Sequence, residues 1–243
     1  MSIRSQEQVA LLTDYDAGSA YSAAYRTLYA NVRFNWKDDE ALDEAEITEK
    51  PTTRQHTLLL ATPNAYTGQA TVAANVAIAA AQSGTPTILV DADLRTPGLA
   101  QRFGLAKAAG LSDLLVALDD ALSPQKGAEM VAQHLSSTFI PGLRLLGAGT
   151  ASSEAAPTFA ARFEELWQGL SLFLRETENK PSLVIFHSVP VLAGPEASLI
   201  AAHVGQTLLT IAKGRTTRRQ AKQAQEQLER VHAHLTGVVM LNV

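Results

Sequence analysis

The sequence predicts a single α/β domain, in which a mainly parallel β-sheet is flanked by helices and preceded by an N-terminal helix. Short apolar runs alternate with longer segments of helical periodicity, and strands that alternate with helices usually pair in parallel, with helices covering both faces. The chain has 243 residues, of which 46% are hydrophobic, enough to bury one large core. We therefore divide it into an N-terminal helix with an acidic loop (1–56) and an α/β domain (57–243), which together form one structural unit.

The N-terminal elements follow from the spacing of apolar residues. Residues 19–34 place apolar side chains at helical spacing, which predicts a helix, and the acidic stretch 37–50 predicts a solvated loop. The short apolar run 57–61 predicts a buried strand, because Thr62-Pro63-Asn64 after it is typical of a loop.

The remaining elements continue the alternation. An alanine-rich helix is predicted over 70–82, where Ser83-Gly84 supplies the left-handed cap, and a strand follows at 87–90. Later strands are predicted at 143–146, 183–186, 206–211 and 238–241, and helices near 156–176, 194–203 and 216–235.

Composition and charge exclude several classes of function. Against 24 acidic residues the chain has 20 lysines and arginines, a net charge of −4 that argues against a dedicated nucleic-acid or anionic-membrane binder. The chain has no cysteine, so disulfides, thiolate zinc sites and cysteine nucleophiles are excluded. The only histidines at ligand spacing are His232 and His234, so no metal site is predicted. The N-terminus is unlike a secretory leader. The longest nearly apolar stretch (71–81) is far shorter than the roughly 20 residues of a membrane helix. We therefore expect a cytoplasmic protein that reaches the membrane only through a partner.

The loop after the first strand is the default place for an anion site in such a sheet, because the amides and the dipole of the next helix point at it. In this chain that loop leads into Gly68-Gln69-Ala70-Thr71. About twenty residues later the sequence Asp91-Ala-Asp93-Leu-Arg95-Thr-Pro97 follows the second strand.

Three further segments belong to the same pattern. Ala24-Tyr-Arg-Thr-Leu28 precedes the two segments just described, and Gly110-Leu-Ser-Asp-Leu-Leu115 and Lys213-Gly-Arg-Thr-Thr-Arg218 follow them. Taken together they resemble the cytoplasmic nucleotide-binding domain of bacterial tyrosine kinases. These are ParA/MinD-like P-loop proteins that work with polysaccharide co-polymerases in capsule and exopolysaccharide synthesis. The resemblance covers nearly the whole chain and implies a P-loop NTPase-like fold of the ParA/MinD type.

The loop departs from a working P-loop at three positions. Such a loop needs glycines that wrap phosphate, a lysine for the β- and γ-oxygens, and a Ser or Thr hydroxyl for Mg²⁺. Aligned on Gly68, the lysine position is Gln69, the hydroxyl position is Ala70 and a preceding glycine position is Tyr66, whereas Thr71 is retained. The sequence therefore predicts no ATP hydrolysis and no bound cofactor, with ATP and magnesium held weakly at best.

Other residues implied by the resemblance leave two interpretations open. The family usually has a metal-orienting aspartate where this chain has His187, a poor magnesium ligand, and we expect a structural histidine there. The resemblance places Asp91 near the attacking nucleophile and Asp93 near magnesium, but both carboxylates could instead brace the carboxyl edge of the sheet. Asn242 fits the family's adenine-contacting asparagine, or it is a polar strand end. The predicted vestigial nucleotide site comprises Gly68, Gln69, Ala70, Thr71, Asp91, Asp93, His187 and Asn242.

The resemblance also bears on assembly. Kinases of this family carry tyrosines on a C-terminal tail, whereas all five tyrosines here lie within the first 66 residues, so we expect no substrate tail. Of the family's Glu-x-x-Arg-x-x-Arg contact pattern only Arg26 is present, between Ala23 and Tyr29. Candidate contact residues are Tyr25, Arg26 and Tyr29, together with Arg215 in a cationic segment whose simpler interpretation is a solvated helix start.

The leading hypothesis is a non-catalytic binding protein. It would act as the cytoplasmic partner or regulator of a Wzz-type membrane polysaccharide co-polymerase or of a homologous kinase subunit, alone or with further copies of itself, and without nucleic acid. The first alternative is an active ATPase or tyrosine autokinase that uses Asp91 and Asp93 as its catalytic carboxylates. The second alternative is a ParA-like positioning factor.

Overall fold

The fold was analysed in a computed structural model that describes residues 10–36, 55–66, 68–118, 123–150, 154–177 and 182–242. The predicted acidic loop at 37–50 lies outside these residues. The strands are β1 (Gln55–Ala61), β2 (Thr87–Ala92), β3 (Ser136–Ser137), β4 (Leu143–Leu146), β5 (Ser182–Ser188), β6 (Gln206–Lys213) and β7 (Leu235–Asn242). The helices are α1 (Ala20–Phe34), α2 (Gln69–Gln82), α3 (Leu99–Arg102), α4 (Leu111–Ala117), α5 (Pro124–His134), α6 (Ala155–Thr177), α7 (Glu196–Ala201) and α8 (Arg218–Arg230), with a 3-10 turn at Leu12–Asp14 before α1.

The described strands form one sheet in the order β3-β4-β2-β5-β1-β6-β7. All neighbouring pairs are parallel except β3 with β4, which are antiparallel. The predicted fold class, a mainly parallel sheet flanked by helices, is therefore confirmed. None of the described helices is both long and apolar enough to cross a membrane.

Helix α2 lies deep in the molecule because it is apolar on all sides. Every residue from Ala70 to Ala81 is buried, as expected for a helix packed between a sheet and another helix. Gly68 precedes the helix with a φ of 99°, and Gly84 follows it with a φ of 82°, so both ends use backbone conformations that favour glycine. The predicted glycine cap is confirmed.

Helix α1 packs on α2 and closes one face of the sheet. Its N-terminus is capped by Ser19, whose hydroxyl oxygen accepts a hydrogen bond from the amide of Ser22. The 3-10 turn before α1 is bound to α2 by a buried hydrogen bond: the Oδ1 of Asn75 on α2 accepts from the backbone amide of Leu12 at 2.7 Å. The predicted N-terminal helix is confirmed, and β1 begins at Gln55, two residues before the predicted start of the α/β domain.

The two faces of the sheet carry separate hydrophobic cores. One core packs α4, α5, α6, α7 and α8 against one face. The other core packs α1, α2 and α3 against the opposite face. Parallel strands buried on both faces explain why the central runs of the sequence are almost continuously apolar.

The structure corrects the predicted end of the chain. The helix predicted over 216–235 ends at Arg230, and Leu235 already begins β7, which pairs along β6. His232 between them has a φ of 57°, a left-handed conformation that reverses the chain. Helical periodicity in the sequence could not reveal this turn. The sequence predicted no element at α3, α4, α5 or β3.

Candidate functional site

Three loops meet at the carboxyl edge of the sheet because β2, β5 and β1 are neighbours in it. These loops follow Ala92, Ser188 and Ala61. Ligands of open α/β sheets bind at this edge. Most of the predicted site residues are brought together here.

The loop after β1 is held against β6 by Tyr66. The phenolic oxygen of Tyr66 lies 3.2 Å from the Oγ1 of Thr210, which itself donates to the carbonyl of Ala61 at 3.1 Å. Tyr66 does not adopt a left-handed φ, the conformation that a glycine would permit at this position. Burial raises the pKa of Tyr66 to about 12, and the hydrogen bond with Thr210 opposes this shift.

The first turn of α2 carries the four predicted loop residues. The Oε1 of Gln69 accepts a hydrogen bond from the hydroxyl of Thr62 at 3.3 Å. The side-chain amide of Gln69 is therefore bound within its own loop. Ala70 and Thr71 are buried. The Oγ1 of Thr71 has no hydrogen-bond partner among the described residues.

Asp91 and Asp93 bind the backbone of the loop that follows β2. Asp91 accepts hydrogen bonds on one carboxylate oxygen from the amides of Gly98 and Leu99, at 3.3 and 3.1 Å. Asp93 accepts from the amides of Arg95 and Thr96 at 3.2 and 2.8 Å, and also from the hydroxyl of Thr96 at 2.8 Å. Both carboxylates thus brace the edge of the sheet, as one of the two interpretations expected.

His187 lies in the middle of this site. It sits beside Asp91 in the β2–β5 pairing and beside Leu60 in the β1–β5 pairing, and it is 2% exposed. Burial lowers the pKa of His187, and the negative charges of Asp91 and Asp93 oppose that shift. Burial likewise raises the pKa of Asp91, against the effect of His187 and of two backbone amides. Both shifts favour the uncharged forms.

The loops after β1 and β5 are joined through their backbones. The amide of Val191 donates to the carbonyl of Thr62 at 2.8 Å, and the amide of Leu192 donates to the carbonyl of Pro63 at 3.3 Å. The position of the loop after β1 therefore depends on the chain that follows His187.

An ion pair at this edge was missed by sequence reasoning. Arg95, in the Asp-rich motif, donates to the Oε1 of Glu196 at 2.8 Å, and Glu196 is 2% exposed. Gly194 permits this contact, because a Cβ there would meet the Glu196 carboxylate and lie 2.9 Å from the Arg95 guanidinium. Glu196 is 101 positions away in the chain, so no local pattern could reveal the pair. Arg102 of α3, close enough to interact electrostatically with Asp91, was also not anticipated.

Two predicted residues lie away from these loops. Asn242 pairs with Lys213 at the end of β7, so both β1 and β6 separate it from His187 on β5. Its side chain is exposed. Arg215 is also exposed, in the turn between β6 and α8.

The predicted contact residues of α1 have different surroundings. Arg26 is exposed and donates to the carbonyl of Ala17 at 2.6 Å. Tyr25 is half-buried, with its ring centre 5.1 Å from that of Tyr21. Tyr29 is only 3% exposed, and its hydroxyl pairs with that of Thr85. The proposed contact role of Tyr29 is therefore corrected, because its side chain belongs to the interior of this chain.

Comparison with known proteins identifies the relatives of this site. No protein-family profile matches the chain. The tyrosine-protein kinase YwqD of Bacillus subtilis (strain 168) is 27% identical over 237 residues, which cover 98% of this chain and 86% of YwqD. The tyrosine-protein kinase ptk of Acinetobacter johnsonii is 24% identical over 191 residues, 78% of this chain but only 24% of ptk. The chain thus spans most of one relative and about a quarter of the other.

Solved structures share the fold. The chimerical protein CapA2B2 has a TM-score of 0.72 at 23% identity, covering 99% of this chain and 90% of that one. The cell division ATPase MinD of Pyrococcus furiosus has a TM-score of 0.58 at 16% identity, covering 76% of this chain and 71% of MinD. The chain is accordingly a homologue of the bacterial tyrosine-protein kinases, built on the fold of the ParA/MinD-like P-loop ATPases.

Proposed function

We propose that this chain is a catalytically degenerate relative of the bacterial tyrosine kinases. In this proposal it serves as the cytoplasmic partner or regulator of a Wzz-type membrane polysaccharide co-polymerase in exopolysaccharide or capsule synthesis and export. The observation that carries the proposal is the first turn of α2, which begins Gln69-Ala70. Gln69 supplies no cation and Ala70 no hydroxyl at the two positions where a P-loop needs them, although the next residue, Thr71, does carry a hydroxyl.

Electrostatics argue against a bound triphosphate. Gln69 is uncharged, and hydrogen bonds between neutral groups are about half as strong as charge-assisted ones. Asp91 and Asp93, if ionised, would repel phosphate with no lysine to offset them. The cation of the neighbouring loop, Arg95, is already paired with Glu196.

The donor groups at the site do not fit a magnesium–nucleotide complex either. Magnesium needs hard oxygen ligands in near-ideal octahedral geometry. The carboxylates of Asp91 and Asp93 accept hydrogen bonds from their own loop, and His187 is a buried imidazole. Among the described residues there is no group of three or more histidines and carboxylates placed to hold a metal. We therefore derive no chemical step through ATP or magnesium.

Docking is the role that a retained scaffold without this chemistry supports. Exposed cations on two sides of the molecule, Arg26 on α1 and Arg215 before α8, are available to a partner. Membrane association would come through the co-polymerase.

The first test is a calorimetric and thermal-shift titration with ATP and ADP, each with and without Mg²⁺. A ligand present at about 100 times its dissociation constant stabilises the folded state by about 2.7 kcal/mol, which for a chain of this size raises the melting temperature by several degrees. We expect no shift at millimolar nucleotide. A magnesium-dependent shift would overturn the degenerate assignment.

The second test addresses the partner. The chain is co-expressed with a Wzz-type co-polymerase of the same organism, and the amount that co-purifies is compared for wild type, Arg26→Ala, Arg215→Ala and the control Arg230→Ala. Arg230 is an exposed arginine at the other end of α8. We expect at least one of the first two substitutions to reduce co-purification while the control does not. Unchanged recovery of every variant, or no recovery of wild type, would contradict the docking role.

A nucleotide-binding function is the second candidate, favoured by one observation. The buried Oγ1 of Thr71 has no partner among the described residues, and it lies in the helical turn where a P-loop contacts phosphate. The same titration decides between the two candidates. Dimerisation that requires ATP would instead favour a ParA-like positioning factor.

A further inference from the structure

The last strand of the sheet has an open edge. β7 pairs with β6 on one side, and no described strand pairs with its other side. Such an edge presents unpaired backbone N–H and C=O groups, which proteins usually protect with lysine, proline or a bulge. The strand Leu235–Asn242 contains no charged residue and no proline, and its register shift against β6 lies only at its start.

Two large apolar side chains lie exposed on this strand. Val238 and Met240 are 61% and 68% exposed, and they pair in register with Leu209 and Ile211 of β6. The alternate residue Val239 packs with the core on the other face. The exposed pair therefore forms an apolar stripe beside the open edge.

A cationic cluster lies at the carboxyl end of this stripe. Its members are exposed and follow directly from β6 into α8, and Lys213 pairs in register with Asn242 of β7. Lys222 approaches Glu226 at 3.7 Å, whereas the other members form no ion pair with any described carboxylate. Two of them occupy the first turn of α8, where positive charge opposes the helix dipole. The cluster comprises Lys213, Arg215, Arg218, Arg219 and Lys222.

We propose that an acidic, extended segment of a partner protein adds a strand to the open edge of β7. Backbone hydrogen bonds would join the segment to the edge, its apolar side chains would contact Val238 and Met240, and its carboxylates would meet the cationic cluster. The proposal rests on the docking role proposed above and assigns that role a surface and a partner chemistry.

Charge complementarity favours this occupant over two others. If the β7 edges of two copies paired, each copy would bring the same cations and an equally uncharged strand, and the paired strands would supply no carboxylate to the cluster. Anionic lipid headgroups would satisfy the cations but not the backbone groups of β7. An acidic extended peptide satisfies both.

The test selects from a displayed library of random peptides of about ten residues, which is strand length. The library is selected on the purified full chain and on three variants. Met240→Lys places a charge on the stripe, Arg215→Glu reverses a member of the cluster, and Arg230→Glu is the control at the far end of α8. Met240, Arg215 and Arg230 are all exposed, so the variants should fold, which matched unfolding curves would verify.

We expect wild type to enrich peptides that alternate apolar and acidic residues. Met240→Lys and Arg215→Glu should each weaken the best synthetic peptide by about tenfold or more, and Arg230→Glu by less than about twofold. Methylating alternate backbone nitrogens of the peptide should abolish binding, since strand addition needs those donors.

Other results would overturn the inference. These are an enriched set without acidic bias, binding that survives backbone methylation, or binding that Met240→Lys leaves intact. Anionic phosphatidylglycerol vesicles that bind while the peptides do not would assign the surface to lipid, and self-association abolished by Met240→Lys would assign it to a second copy. The test uses neither nucleotide nor co-polymerase, so its failure is distinguishable from failure of the proposed function.

Discussion

The phenolic oxygen of Tyr66 lies 3.2 Å from the Oγ1 of Thr210, and this contact joins the loop after β1 to the neighbouring strand β6. Thr210 also donates to the carbonyl of Ala61, the last residue of β1. Tyr66 thus anchors the loop after β1 to the neighbouring strand.

If the proposed degeneracy of the loop after β1 is right, introducing the residues of a working P-loop should create nucleotide binding. We expect the triple variant Tyr66→Gly, Gln69→Lys, Ala70→Ser to bind Mg²⁺·ATP measurably in calorimetry, because it acquires a flexible backbone, a cation and a hydroxyl for the metal. The control variant carries Tyr66→Gly and Ala70→Ser together with Gln69→Met. Methionine has nearly the length of lysine but no charge. Equal binding by wild type and the triple variant would refute the expectation.

Removing only the Tyr66 hydroxyl isolates its contact. Tyr66→Phe should lower the free energy of unfolding by about 0.5–1.5 kcal/mol, the usual net value of one hydrogen bond, in urea unfolding. The folded-state pKa of about 12 lies above the ordinary value of 10, so wild type should lose stability as pH rises through this interval, and the variant should lose less. If the free energy of unfolding of wild type and Tyr66→Phe depended on alkaline pH in the same way, the raised pKa of Tyr66 would be contradicted.

Asp93 should be needed for stability without any ligand. Asp93→Ala leaves the amides of Arg95 and Thr96 unpaired, so we expect a loss of about 1–3 kcal/mol in the free energy of unfolding, measured by denaturant. The control Glu226→Ala removes only an exposed pair with Lys222 and should cost at most about 1 kcal/mol. A stable Asp93→Ala protein would instead favour a role of Asp93 in ligand binding.

His187 should make the protein sensitive to acid. The pKa of His187 in the folded state is lower than its ordinary value of about 6.5. At a pH between these two values the unfolded chain binds more protons than the folded chain. The free energy of unfolding therefore falls as the pH falls. His187→Gln should flatten this dependence when unfolding is followed from pH 7 to about 5. Equal slopes for wild type and His187→Gln would exclude the predicted protonation effect.

Gly110 should be intolerant of a side chain. A Cβ at this position would meet the carbonyl oxygen of Gly147 and lie 2.5 Å from the amide nitrogen of Gly149, so we expect Gly110→Ala to cost more than about 3 kcal/mol. Gly142 is the matched control: it has a φ of 80° but open space around its Cβ position, so Gly142→Ala should cost only about 1–2 kcal/mol. The two losses, measured by thermal unfolding, should differ clearly. Similar losses would show that the close approach of Gly147 and Gly149 does not set the cost at Gly110.

Local sequence predicted the elements whose signal is local. The apolar run before Thr62 and the alanine-rich helix were found because burial on all sides makes a segment continuously apolar, and the cap was found from Gly84. The short helices α3, α4 and α5 were not assigned, because their few turns carry weak periodicity. The last helix was extended too far because the turn at His232 has no pattern of its own.

The residues of the candidate site could be predicted from the sequence, but their hydrogen-bond and ion-pair partners could not. Asp91, Asp93 and His187 were named from the resemblance to the bacterial tyrosine kinases. The sheet pairs Asp91 with His187, and Asp93 lies close enough to act electrostatically on His187. The partners of those side chains could not be named, since the hydrogen bonds of Asp91 depend on how the loop at Gly98 folds back. The Arg95–Glu196 ion pair joins residues 101 positions apart.

The sequence by itself determined the α/β class, the order of most elements, the relationship to the bacterial tyrosine kinases and the residue types in the first turn of α2. These properties are set by periodicity, motif order and side-chain identity, which are local. Only the tertiary structure decided that Tyr66 binds Thr210, that Tyr29 faces the interior and that Val238 and Met240 lie exposed beside a cationic cluster. Those outcomes depend on which elements pack against each other, and packing joins residues that are remote in the chain.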